Sequence, residues 1–143
     1  MKKFVLPALA LLVAVSACKK DDSTPAATTM QVTGTLSGAS EVPAVTTSAT
    51  GSVAGTYNTS TKVLTYTVTY AGLTPTAGHF HIGAPGTNGS VAITFPSVAS
   101  SPITGTATLT DSQRDALLAG NMYANLHTSA NTGGEIRANV TAK

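Results

Sequence analysis

Val63-Leu64-Thr65-Tyr66-Thr67-Val68-Thr69-Tyr70 alternates without a break. Leu64, Tyr66, Val68 and Tyr70 fall on one side of an extended chain, and Thr65, Thr67 and Thr69 on the other. Successive side chains of a strand point to opposite faces, so this run predicts a strand with one buried and one wet face. β-branched and aromatic residues suit such a pleated surface. Asn58-Thr59-Ser60-Thr61, just before it, has the composition of a hairpin connection.

The same texture continues on both sides. Thr, Val, Gly and Ala dominate, and turn signals recur at short intervals. This predicts strands near 30–37, 50–57, 62–70, 78–83, 90–95, 103–109, 121–127 and 134–141. One segment breaks the pattern. Thr110-Asp111-Ser112-Gln113 is a capping box, with Thr110 as cap and Gln113 reaching back. Asp111 and Asp115 suit the positive end of a helix, Leu117 and Leu118 give it an apolar side, and Gly120 is a stop. The expected fold class is mainly β: an antiparallel β-sandwich or partly open barrel, with one short helix near 110–119.

The N-terminus has a different character. Lys2-Lys3, an apolar run from Phe4 to Val15, and the small residues before Cys18 have the layout of a secretory leader. The run is shorter than the roughly 20 residues a membrane-spanning helix needs. Val15-Ser16-Ala17-Cys18 resembles a bacterial lipobox, in which the cysteine carries lipid and becomes the first mature residue. Cys18 is also the chain's single cysteine. Residues 1–17 are therefore expected to be a lipoprotein signal peptide, 18–29 the lipidated Cys18 and a flexible tether, and 30–143 a β domain. Lipid on Cys18 would hold the chain to a membrane without spanning it. Lys19-Lys20-Asp21-Asp22 resembles a signal that exports lipoproteins to the outer face of the outer membrane. The expected location is thus the outer membrane, exposed at the cell surface, with the membrane as partner through the lipid.

Charge narrows the function classes. The chain has eight basic and six acidic side chains. Loss of Lys2 and Lys3 with the leader leaves the two signs equal in number, so the mature surface is neutral. Nucleic-acid binding calls for a basic face, and no nucleic-acid partner is expected. The domain holds no cysteine, so packing and sheet hydrogen bonds must stabilise it without a disulfide. There is no Gly-x-Ser-x-Gly nucleophile elbow, and the Gly83–Gly89 stretch lacks the lysine and following helix of a phosphate loop.

The chain's three histidines occupy two short motifs. In Gly78-His79-Phe80-His81-Ile82-Gly83, His79 and His81 share one face of a strand, opposite Phe80 and Ile82. In Met122-Tyr123-Ala124-Asn125-Leu126-His127, the polar face is Tyr123, Asn125 and His127. In Glu135-Ile136-Arg137-Ala138-Asn139-Val140 it is Glu135, Arg137 and Asn139. Pairing the last two strands puts Asn125 across from Arg137 and His127 across from Glu135. If the His79–His81 strand neighbours this hairpin, all three imidazoles converge on a common water-accessible face. His79, His81 and His127 then form a three-ligand set for copper or zinc with an open position. Glu135 is a fourth ligand or an acceptor for a ligating ring, or is equally committed to Arg137 or the other side chains of the hairpin, and Tyr123, Asn125, Arg137 and Asn139 are a supporting polar network. The alternative is that these side chains only satisfy backbone groups around the Pro85–Gly89 loop.

These motifs also carry a family resemblance. His-x-His-Ile-Gly, then Gly120-Asn121-Met122-Tyr123-Ala124-Asn125-Leu126-His127-Thr128, then Gly133-Gly134-Glu135-Ile136-Arg137, resemble the CHRD domain, named for chordin. The opening Thr35-Leu36-Ser37-Gly38-Ala39-Ser40-Glu41-Val42-Pro43-Ala44 is similar to that family's first strand and its Glu-Val-Pro turn. The resemblance runs from about Met30 to Lys143. Ala84 between Gly83 and Pro85 departs from members in which Gly-Pro follows the second histidine directly. The resemblance implies a β-rich extracellular domain. It implies little about activity, since fold-level kinship does not transmit function. The expectation is an envelope-anchored, non-enzymatic binding or scaffolding domain, its protein or glycan partner unspecified. The alternative is a copper- or zinc-binding protein with a three-histidine site.

Overall fold

The computed structural model describes residues 28–143. The expected leader, Cys18 and most of the tether lie outside the described residues. Thr29, placed in the tether by sequence, instead opens the first strand and pairs with Asn58.

Eight strands, one α-helix and a short 3-10 turn at Gly38–Ser40 make up the domain: β1 Thr29–Ser37, β2 Thr50–Asn58, β3 Val63–Ala71, β4 Ala77–Ile82, β5 Ser90–Thr94, β6 Ile103–Thr108, α1 Asp111–Leu118, β7 Met122–His127 and β8 Ile136–Ala142. All form one antiparallel sheet in the order β5-β4-β7-β8-β1-β2-β3-β6. Of the two expected architectures, the partly open barrel is the one found. Rings from strands far apart in this order meet inside. Tyr66 of β3 touches Phe80 of β4 edge-on, centroids 5.0 Å apart, and Phe95 just past β5 packs on both. A flat sheet would hold those rings far apart, so the sheet curls until its two ends nearly close.

The alternation of β3 does what its residues predict. Leu64, Tyr66 and Val68 are buried in the barrel, while Thr65 and Thr69 are exposed. The β2–β3 connection is an Asx turn: Asn58 Oδ1 accepts from the N–H groups of Ser60 and Thr61, and Lys62 turns the chain with φ 58°. The capping box is present in full, Thr110 Oγ1 accepting from Gln113 N–H and Gln113 Oε1 from Thr110 N–H. The Gln113 amide also donates to Ala92 O on the edge strand β5, and Leu117 is fully buried. The helix therefore covers part of an otherwise open sheet edge.

Each strand begins and ends within two residues of its expected position. The largest shift is at β8, which starts at Ile136 rather than Gly134. Gly134 has φ 133°, and the Glu135 carboxylate turns aside to accept from Thr47 and Thr128 hydroxyls. The chain becomes regular only after that turn.

Candidate metal centre

β4 lies beside β7, and β7 beside β8. Within these ladders His79 pairs with Asn125, His81 with Tyr123, and Ala77 with His127. His79 and His127 are therefore diagonal neighbours on one face, and His81 stands two residues further along. The imidazole centroids are 5.4 Å (His79–His81), 5.0 Å (His79–His127) and 6.3 Å (His81–His127) apart. One nitrogen from each ring lies within 4.8 Å of the other two. The three separated imidazoles converge, as the strand faces require.

Their hydrogen bonds fix the tautomers. His81 Nδ1 is 3.0 Å from Gly89 O, and His127 Nδ1 is 2.9 Å from Thr132 O. A carbonyl oxygen only accepts, so both Nδ1 atoms carry the proton, and in the neutral rings both Nε2 atoms keep a free lone pair. His127 Nε2 then accepts from His79 Nδ1 at 3.1 Å. His81 Nε2 is buried without any hydrogen-bond partner. An Nδ1–H donated to a backbone carbonyl is the usual outer-shell support of a metal-binding histidine.

The surroundings favour the neutral form of His79 and His81. Burial lowers the His79 pKa, with repulsion from His127 and His81 adding to it. Burial is also the largest influence lowering that of His81, opposed by the Gly89 carbonyl and Asn125 and reinforced by His127 and Arg137. Metal ions bind the neutral imidazole.

The remaining expected site residues divide. Asn125 and Arg137 pair across β7–β8 as expected. Tyr123 and Arg137 lie with the cluster but are not on a wet face. They are 2% and 1% exposed, and His81 is 7% exposed, while His79 and His127 are half-buried and reach the surface. The loop after β4 covers the others. Arg137 donates to Asn88 Oδ1 at 3.1 Å and to Thr87 O, and Asn88 Nδ2 donates to Val42 O at 2.8 Å. The loop fits closely because residue 89 is glycine: a Cβ there would stand 1.7 Å from Ile82 O. The polar network around Pro85–Gly89 therefore exists alongside the imidazole cluster rather than instead of it.

Glu135 does not join the histidines. Its oxygens accept from Thr128 at 2.6 Å and Thr47 at 2.9 Å, and the Thr128 hydroxyl is the main influence lowering its pKa. The β7–β8 ladder ends at Leu126–Ile136, one pair short of the expected His127–Glu135 pair. Asn139 is exposed, outside the network.

Sequence reasoning missed Glu41 as a site residue. It is 6% exposed, near Arg137 and Asn125, and its Oε1 has no hydrogen-bond partner. Burial raises its pKa, the Arg137 charge opposing this. The only signal was its place in the Glu41-Val42-Pro43 turn, which the opening motif had already marked. A cavity of about 410 Å³ between Pro75–Gly78 and Thr94–Ala99 is lined by no titratable side chain.

A family model for the CHRD domain matches residues 32–140. The chain belongs to the CHRD domain family. The match spans β1 to β8, so every element that positions the three imidazoles lies inside the CHRD domain. No curated protein and no solved structure matches this CHRD chain.

Proposed function

We propose that this CHRD domain binds one transition-metal ion, copper or zinc, through His79, His81 and His127, and that a lipid on Cys18 tethers it to the outer membrane at the cell surface. The observation that carries the metal reading is the pair of donated Nδ1–H groups. They leave the Nε2 lone pairs of His81 and His127 inside the cluster, one of them buried and unpartnered. A buried nitrogen with a lone pair and no donor is costly unless something fills the gap, and a metal ion does so. Imidazoles suit copper and zinc. Three ligands leave the fourth position of a tetrahedral site open, towards the surface reached by His79 and His127. Neighbouring nitrogens around a tetrahedral zinc lie about 3.3 Å apart. His79 and His127 are already at 3.1 Å.

The role that follows is metal binding at the envelope. The tether rests on the leader-like run, the lipobox-like tripeptide and Lys19-Lys20-Asp21-Asp22. Isothermal titration of the full chain in detergent with Zn²⁺ and Cu²⁺ tests the metal. One equivalent is expected to bind the native chain, and the double variant His79→Ala/His81→Ala to lose that binding. Equal weak binding by both would remove the metal reading and leave a scaffolding domain. Cys18→Ala is expected to move the protein from the membrane to the soluble fraction. Continued membrane partitioning would contradict the tether.

A further inference from the structure

Arg137 is the largest fully buried side chain of the domain, and it touches none of the three imidazoles by hydrogen bond. Its contacts nevertheless lead to one. Its guanidinium lies over the Tyr123 ring, Cζ 3.3 Å from the centroid. Tyr123 in turn stacks on His81, rings 4.8 Å apart and 3° from parallel. On the other side Arg137 holds Thr87 O and Asn88 Oδ1. The next residue, Gly89, donates its N–H to the Tyr123 hydroxyl at 3.1 Å, and its carbonyl accepts from His81 Nδ1 at 3.0 Å. The contacts close into a ring running Arg137, Thr87–Asn88, Gly89, His81, Tyr123 and back to Arg137.

We infer that Arg137 and Tyr123 are positioning residues that set metal affinity by clamping His81 in its Nδ1–H form with Nε2 aimed at the cluster. This rests on the proposed metal reading and names what controls that site. The argument is one of geometry. The Tyr123 ring fixes the plane of the imidazole. The Gly89 carbonyl fixes the tautomer, and only a loop held in place can present that carbonyl. The Arg137 fork supplies two of the bonds that hold it, and Asn88 on Val42 O supplies a third. A guanidinium is needed because it stacks on an aromatic face and donates from two nitrogens at once, which an ammonium does not. Without the clamp the His81 ring is free to flip or change tautomer, and the lone pair leaves the site. Outer-shell losses of this kind reduce metal affinity about 10–100-fold.

The test uses the full chain and two readouts. The ring ¹⁵N shifts of His81 in the metal-free protein report its tautomer, and titration with Zn²⁺ alone reports affinity. Arg137→Gln and Asn88→Ala are both expected to turn the single Nδ1–H signature of His81 into a mixture and to weaken Zn²⁺ about 10-fold or more. Tyr123→Phe, which keeps the stack but loses the bond from Gly89, is expected to fall between them and the native chain. Arg137→Lys is expected to fail to rescue. Asn88 is on an exposed loop, so its variant answers even if Arg137→Gln does not fold. An unchanged tautomer and an affinity within twofold in Asn88→Ala and in any folded Arg137 variant would overturn the clamp, whatever their melting temperatures. A native chain that binds no Zn²⁺ would remove the metal reading, and with it the role of the clamp in affinity. The tautomer readout would still show whether the clamp holds His81.

Discussion

His79 is the least anchored of the three imidazoles. His81 and His127 each donate to a backbone carbonyl, but the bond of His79 Nδ1 goes to His127 Nε2, another member of the cluster. A metal ion would replace that bond, so His79 is the ring whose Nδ1 must give up its proton on loading. Protonation acts on the same residues. The pKa values of His79 and His81 are lowered by burial and mutual repulsion. Above about pH 6.5 these rings are neutral folded or unfolded, and their stability contribution is complete. As pH falls below that value the unfolded chain takes up protons first, so stability falls. Glu41, its pKa raised mainly by burial, has the opposite slope: it favours the fold as pH falls towards the ordinary carboxylate range. The histidine contribution is therefore read as a difference. Metal-free protein is expected to lose more melting temperature between pH 7.5 and 5 than the His79→Gln/His81→Gln variant. Parallel curves from differential scanning calorimetry would contradict the shifts.

Among the elements, α1 was the easiest to read, because its start is encoded in four consecutive residues. Its cap bonds are those that Thr110 and Gln113 predict. Thr110→Ala is expected to cost about 1 kcal/mol, read from urea unfolding midpoints. A change under about 0.3 kcal/mol would show that the helix is held by Leu117 and the ion pairs of Asp111 with Lys62 and Arg114 instead. The strands were legible where alternation was clean, as at Val63–Tyr70. The polar faces of β7 and β8 were legible as faces but not as buried ones. Nothing local in Tyr123, Asn125 or Arg137 says that the Thr87–Gly89 loop folds over them. That cover depends on contacts between segments about fifty residues apart in the chain, such as Arg137 with Thr87 and Asn88. The register of β7 on β8 followed from pairing across a short connection, and it failed only at Glu135, where Thr47 and Thr128 offer better partners than the ladder.

For the molecule as a whole, strand order decides whether a site exists. His79 and His81 share a face by period two alone, but His127 joins them only because β4 pairs with β7 across 39 residues of intervening chain that hold β5, β6 and α1. Sequence could pose that adjacency only as a condition. The curl of the sheet was left open between sandwich and barrel, because alternation is the same in both; the meeting of Tyr66, Phe80 and Phe95 decides it. Phe80 ties the two halves of the barrel together and lies between His79 and His81. Phe80→Ala is expected to cost about 3–5 kcal/mol in chemical unfolding and to loosen the imidazole cluster with it. A loss below about 1 kcal/mol would mean that the barrel is not closed through this ring. The account as a whole stands on three imidazoles sharing one ion, and X-ray absorption at the zinc edge of the zinc-loaded chain tests that most directly. Three imidazole nitrogens at about 2.0–2.1 Å with one further light ligand is the predicted result. A zinc ion bound through fewer imidazoles, or through oxygen alone, would contradict it.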